Sequence, residues 1–287
     1  MLRSLIFVPG NSIRFVEKAR TLTADIICFD LEDSVPDNEK DVARKIIAET
    51  LMTHQQEYMR PLYVRTNSPK SGLLLSDLNA ILQNGIAGIV VPKVDDVHEI
   101  VEIKKHITML ETERKIEKVT LIPSIETARG VVNAYSIASA DDRINAIVFG
   151  LFDFLYDMRL DYDEHDPVRH SYARAKVPVD ARAAGVYAVD AIWQKLDDID
   201  GLIGDATMAK RLGYSGKSII HPSQINPVHK VFYPSKNEIE WAKKVVQELD
   251  DAMKKGIGRG AVRLEGRMID AVHYKQARAI LDAAVEE

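Results

Sequence analysis

Eight short apolar runs, each followed by a stretch with helical periodicity, constrain this chain more than any other feature of its 287 residues. The runs fall at 4–8, 25–30, 62–64, 88–91, 119–122, 146–149, 186–192 and 218–220 and are rich in Val, Ile and Phe. Each is long enough for one buried strand. Helices are predicted over 13–20, 39–51, 75–83, 97–110, 129–138, 172–184, 199–212 and 238–255, with Val42, Ile46, Ile47 and Leu51 giving the second its buried face. Strands that are apolar throughout, alternating with amphipathic helices, describe a parallel sheet covered on its outside. Eight such units in this length predict a (β/α)8 TIM barrel. A doubly wound open sheet is the alternative, but it calls for a glycine-rich phosphate turn after an early strand, and the V-P-G-N turn at 8–11 lacks the GxGxxG spacing. Nothing of low complexity and no repeat divides the barrel, which is expected to occupy residues 1–255. Past it, G-I-G-R-G-A at 256–261 reads as a hinge into a C-terminal extension, 256–287, with an amphipathic helix over 269–284. That extension must dock either on its own barrel or on a neighbouring subunit.

Charge narrows the partners. The formal net charge of -5 is spread along the chain, which predicts no nucleic-acid or membrane surface. The lone cysteine, Cys28, sits inside an apolar run, so neither a disulfide framework nor a cysteine zinc site is available and core packing is its expected role. The first run is too short for a signal segment and is closed by Pro9-Gly10, and no run approaches the ~20 apolar residues that span a bilayer. A soluble, cytoplasmic protein is expected.

Two of the runs stop abruptly and present an acid: Glu126 in T-L-I-P-S-I-E-T, and Asp153 in I-V-F-G-L-F-D-F. Paired carboxylates of this kind suit a hard divalent cation, because magnesium takes one or two carboxylates and fills its other positions with water and substrate oxygens. Other strand ends also carry charge: Asp30, Glu32 and Asp33 after the second run, Arg65 after the third, Lys93 after the fourth, His221 after the last. Singly each has a plain structural reading as turn, cap, ion pair or packed histidine. In a barrel they converge on the C-terminal face, where barrel enzymes assemble their sites. Two acids and an arginine there describe a site for a small anion held on a metal, with Arg65 offering a planar fork to a second anionic oxygen and Lys93 a further cationic contact. The arrangement suits cleavage of a C–C bond beside a hydroxyl, and either Asp33 or an acid from the tail would take the hydroxyl proton. The acidic stretch at 161–167 is expected to be an exposed loop over this face.

Seven blocks, R-S-L-I-F-V-P-G-N at 3–11, D-L-E-D-S-V at 30–35, V-R-T-N at 64–67, V-P-K at 91–93, I-E-T at 125–127, F-G-L-F-D at 149–153 and I-H-P-S-Q-I at 220–225, follow one another in order. Together they resemble the citrate lyase β-subunit-like family of the HpcH/HpaI aldolase group, which includes malyl-CoA and citramalyl-CoA lyases. The resemblance implies a Mg²⁺-dependent (or Mn²⁺-dependent) C–C lyase that converts a short 3-hydroxyacyl-CoA thioester into a 2-oxo acid and acetyl-CoA. Its alternatives are a citryl lyase subunit working on an acyl carrier protein, a metal-dependent pyruvate-releasing aldolase, or a non-catalytic thioester-binding component. It also implies Glu126 and Asp153 as metal ligands, Arg65 as the substrate arginine, Arg3 as a coenzyme A contact, and Asp270, in G-R-M-I-D, as a catalytic acid delivered to a neighbour's site in a homo-oligomer, a trimer or hexamer. Lys18 and Arg20 read as surface side chains. The chain departs from the family pattern in the bulky F-L-Y-D that follows Asp153 and in Val272, where a proline is usual.

Overall fold

A computed structural model describes residues 1–163, 166, 168–254 and 260–285. It divides into two compact units, Leu2–His229 and Lys230–Glu287, with Met1 grouped with the second. The first unit is the barrel. Its strands are β1 (Ser4–Pro9), β2 (Ile26–Asp30), β3 (Leu62–Arg65), β4 (Gly88–Val91), β5 (Thr120–Ile125), β6 (Ala146–Phe149), β7 (Tyr187–Asp190) and β8 (Gly216–Ile219). They close in sequence order into a single parallel barrel, β8 returning to β1 through Ser4↔Lys217, Leu5↔Ser218 and Ile6↔Ile219.

Side chains alternate across a strand, so every second residue of each strand points inward. Leu5, Cys28, Tyr63, Val90, Ile122, Val148 and Val189 fill the interior as one apolar cluster, with Cys28 packed and unbonded. Asp30 and Arg65 stand on the same inward register one step beyond Cys28 and Tyr63, and Glu126 two steps beyond Ile122, toward the C-terminal strand ends, which is how the sheet gathers them.

The outer layer is α1 (Ile13–Lys18), α2 (Lys40–Thr53), α3 (Leu74–Ile81), α4 (Val97–Arg114), α5 (Ala128–Ala138), the short α6 (Leu151–Asp157), α7 (Val168–Ala184) and α8 (Ile199–Leu212), with α9 (Ile225–Phe232) following β8. Several starts are written in the sequence as caps. Asp96 accepts from the His98 and Glu99 amides, Thr127 from Gly130, and Asp198 from Gly201. The buried face of α2 differs from the expected one. Ala43, Arg44, Ile47 and Leu51 face inward while Val42 is 50% exposed, because Arg44 Nε donates to the fully buried Asp77 carboxylate at 2.7 Å. Between β7, β8 and the helices outside them lies a buried charge cluster: Lys217 Nζ meets Asp190 Oδ2 at 2.7 Å, Arg174 meets Asp190 and Asp205 at 2.7 and 2.8 Å, and Lys217 also contacts Asp205. Burial alone would raise the Asp190 carboxyl, but Lys217 and Arg174 hold it below the usual range.

The second unit contains α10 (Lys236–Lys254), a hairpin of β9 (Val262–Leu264) and β10 (Arg267–Ile269), and α11 (Ala271–Val285). Ala242, Val245 and Leu249 of α10 bury against Ile269 and Ala277. Helix α10, placed with the barrel by the 255/256 division, therefore packs with the tail. The tail helix begins at Ala271 and not at 269, since Asp270 ends the hairpin and caps α11, accepting from the Val272 amide at 3.0 Å. Residue 255, residues 256–259 of the expected hinge, and 164, 165 and 167 of the acidic loop lie outside the described residues. Among the described residues, no helix is long and apolar enough to cross a membrane.

Candidate active site at the C-terminal ends of the barrel strands

Asp30 organises the site. It is fully buried, and its oxygens accept from the Glu32 amide at 2.9 Å, the Ser34 amide at 3.0 Å and the Ser34 hydroxyl at 2.5 Å, so D-L-E-D-S folds around it. The same carboxylate takes both prongs of the Arg65 guanidinium, Nε and Nη2, at 2.7 Å each. Burial would raise the Asp30 carboxyl; Arg65 and the Ser34 hydroxyl instead hold it at about 2. Arg65 stacks 4.4 Å over the Phe7 ring, and its remaining nitrogen, Nη1, lies 3.2 Å from Glu32 Oε2 and 3.6 Å from Asp33 Oδ2. Its direction is thus fixed from three sides.

Lys93 closes the opposite rim. Its backbone is left-handed, φ 54°, an uncommon choice for a side chain with a Cβ. Its ammonium group lies 2.6 Å from Glu32 Oε1, 3.4 Å from Asp33 Oδ1 and 3.2 Å from Asp153 Oδ1. Desolvation would lower the Lys93 ammonium, but Glu32 and the neighbouring acids push it above the ordinary lysine value.

Glu126 follows β5 and is 4% exposed. Burial, then the nearby Glu32 and Asp153 carboxylates, push it up to about 8, and its Oε2 has no hydrogen-bond partner. Burial also lifts Glu32 to about 7, against the opposing pull of Arg65 and Lys93. Asp153, expected just past a strand end, lies in the first turn of α6, because β6 ends at Phe149 and Gly150 begins the helix. Gly150 is needed for another reason: a Cβ there would sit 2.4 Å from Glu126 Cγ. Gly150→Ala is accordingly expected to displace the Glu126 carboxylate and lower kcat by at least about tenfold, with little change in melting temperature; paired kinetics and thermal melts check this.

The bulky segment after Asp153 has a structural use. Asp157 Oδ2 accepts the Ala128 amide at 2.8 Å, binding the end of α6 to the start of α5. The segments carrying the two acids are therefore tied directly to each other. Asp30, Arg65, Glu126 and Asp153 all line one cavity of about 420 Å³, with Asp33, which is half-exposed, at its edge. Among the described residues no group of three or more His, Cys, Asp or Glu is arranged to hold a metal. An orphaned buried carboxylate oxygen opposite a second carboxylate is nevertheless what a cation with two protein ligands requires, and Glu126 and Asp153 fit it.

Three candidates lie elsewhere. Arg3 precedes β1, at the N-terminal end of the strands, and its guanidinium is held by Asp25 at 3.0 and 3.2 Å. That places it away from the C-terminal strand ends where Arg65 and Glu126 lie. Lys18, read as a surface side chain, is exposed and lies at a second, largely apolar cavity of about 190 Å³ with Phe7, Phe15, Ile220 and His221, while Arg20 pairs with Glu57 at 2.6 Å. His221 bonds Ser223 at 2.8 Å within its own turn. Asp270 belongs to the second unit, where His273 Nδ1 lies 2.7 Å from its Oδ1 and holds its carboxyl below the usual value. Sequence reasoning gave Asp30 no role beyond a turn and passed over Ser34; the fully apolar strand ahead of Asp30 was the available signal that its carboxylate is buried and needs a cation.

The HpcH/HpaI aldolase/citrate lyase profile matches residues 3–222. Citrate lyase subunit beta of Leuconostoc mesenteroides subsp. cremoris is 35% identical over 284 residues, covering 98% of this chain and 93% of that protein. The mitochondrial citramalyl-CoA lyase of Rattus norvegicus is 33% identical over 293 residues, covering 98% and 86%. A crystal structure of CitE from Mycobacterium tuberculosis in complex with magnesium, acetoacetate and coenzyme A superposes with a TM-score of 0.81 at 27% identity, covering 99% of this chain and 98% of that one.

Proposed function

Since the chain belongs to the HpcH/HpaI aldolase/citrate lyase family and is a carbon–carbon lyase, we propose that it cleaves, or in reverse forms, a short 3-hydroxyacyl thioester such as malyl-, citramalyl- or citryl-CoA, giving a 2-oxo acid and acetyl-CoA. The observation that carries this reading is the orphaned, buried Glu126 carboxylate facing Asp153 in the cavity where Arg65 is clamped. Glu126 and Asp153 would hold magnesium, the metal present in the related CitE crystal structure. When bound, magnesium supplies a Lewis acid for the carboxylate and adjacent oxygen of the 2-oxo acid half.

The chain's own groups do the rest. A carboxylate takes the substrate's hydroxyl proton; the C–O bond becomes a carbonyl, and the pair from the broken C–C bond moves onto the thioester as an enolate. Arg65, with two donors committed to Asp30, presents Nη1 to that enolate oxygen. The enolate then takes a proton to give the acetyl thioester. Asp33, at the cavity edge, or Asp270 of a neighbouring chain is the proton carrier. The apolar cavity between Phe15 and His221 shares Phe7 and Ile220 with the carboxylate cavity, which gives a thioester arm a route to the reacting carbons. A citryl thioester on a carrier protein is the second reading, favoured by the identity to citrate lyase subunit beta.

Incubation with malyl-, citramalyl- and citryl-CoA and Mg²⁺, followed by product identification, tests the reading; no cleavage of any of them overturns it. Mixing separates the two acids. Glu126→Gln and Asp270→Asn chains, each inactive alone, are expected to regain activity when co-assembled, because a mixed oligomer pairs an intact barrel with an intact tail. Full activity of Asp270→Asn alone would assign the proton to Asp33.

A further inference from the structure

Below the carboxylates the barrel interior carries two hydroxyls that the cleavage reaction leaves unused. Ser124 lies on β5 two positions before Glu126, hence on the same inward face and about 7 Å deeper along the strand. Ser218 lies on β8, in register with the inward-facing Leu5 of β1. Both residues are 1% exposed, both line the 420 Å³ cavity, and neither hydroxyl has a hydrogen-bond partner. Other hydroxyls in the barrel are matched: Ser4 with His229 at 2.7 Å, Ser34 with Asp30 at 2.5 Å, Ser215 with the Ala188 carbonyl at 2.8 Å. Thr66 is also unmatched, but it does not line the cavity. A barrel floor is ordinarily filled with branched apolar side chains. Two unsatisfied hydroxyls at that depth carry a penalty that alanine or valine would avoid, and a ligand atom bonding them removes it.

Resting on the thioester-lyase reading above, we propose that Ser124 and Ser218 are specificity-determining residues that hydrogen-bond an oxygen-bearing terminus on the 2-oxo acid half of the substrate, the second carboxylate of oxaloacetate in preference to the methyl group of pyruvate. A 2-oxo acid held at Glu126 directs its far end down the cavity toward this floor. Val148, Phe7 and Ile220 offer only apolar contact, Ser34 is committed to Asp30 and Gln194 is exposed, so the two buried, unmatched hydroxyls are the groups suited to distinguish one terminus from another. Asp30, Asp33, Glu126 and Asp153 already line the cavity with Arg65; the serines therefore select by hydrogen bonding and not by charge. A site built to bond a polar group discriminates strongly against the analogue lacking it, because its own buried groups are then left unpaired.

The test compares wild type, Ser124→Ala, Ser218→Ala and the double variant, each with saturating Mg²⁺. Wild type is expected to show a higher kcat/KM for citryl-CoA than for citramalyl-CoA. Each alanine is expected to lower the citryl value about tenfold, and the pair about a hundredfold, with citramalyl cleavage unchanged within about threefold. Equal losses on both substrates, or no loss on either, overturn the proposal. Calorimetric affinities for oxaloacetate and pyruvate provide the independent arm. If wild type cleaves neither thioester, the lyase reading fails on its own, and a selective loss of oxaloacetate affinity in the variants still supports the hydroxyl floor. Unchanged oxaloacetate affinity overturns it.

Discussion

Glu126→Gln is expected to lower thioester cleavage at least about a thousandfold and to abolish Mg²⁺ affinity in a calorimetric titration, the loss corresponding to several kcal/mol of transition-state stabilisation. The amide keeps the shape of the carboxylate, so the room made by Gly150 still accommodates it. What disappears is the capacity to carry a charge that burial, Glu32 and Asp153 disfavour in the metal-free protein. The variant should therefore melt no lower than wild type. Loss of activity with undiminished stability is the signature of a ligand-binding carboxylate, whereas a structural one would lower both. Retained turnover with added Mg²⁺ would remove Glu126 from the metal site.

Asp30→Asn is expected to reduce both folding stability and activity. Asparagine turns an NH2 group toward one of the Arg65 donors and leaves a guanidinium with 14% of its side chain exposed without its counter-charge. Breaking a buried pair from one side costs about 3–5 kcal/mol. The pH dependence follows from the depressed carboxyl. With a value of about 2 in the fold against 3.8 for an ordinary aspartate, Asp30 contributes about 2 kcal/mol that is fully present above pH ~4 and is lost as pH falls through ~2. Urea unfolding at pH 7 and pH 3 checks both parts: wild type should lose stability between them, and the difference should shrink in Asp30→Asn. An equal acid loss in both proteins would place the linkage on other carboxylates.

The barrel was legible because its strands are apolar on both faces, which leaves a run of residues with few competing readings. The run at 88–91 coincides with β4, and that at 146–149 with β6. Legibility failed where one pattern serves two structures. The run at 146–149 ends where β6 ends, but L-F-D-F beyond it was not read as the first turn of α6, because four residues are too few to display a helical period. In β5 the expected strand stopped at Ile122, before Pro123, yet the strand runs to Ile125, with Ser124 facing the cavity. Helix α9 was not predicted; Pro222 and Pro227 interrupt the helical pattern there, although a proline in a first helical turn forfeits no intrahelical bond. Arg3 was singled out by its motif, whereas its place before β1 puts it at the N-terminal end of the strands.

Barrel closure joins the first strand to the last, through Ser4↔Lys217, Leu5↔Ser218 and Ile6↔Ile219. During synthesis β1 emerges first and must wait, edge unpaired, until β8 leaves the ribosome. Such pairing, distant in sequence, is slow, and an open edge invites association with other chains. Ser218 and Ile220 belong to that final segment and also wall the carboxylate cavity. The strand that completes the cylinder therefore completes the pocket, and a nascent or truncated chain that stops short of it holds the acids and Arg65 without an enclosed place for a substrate to react.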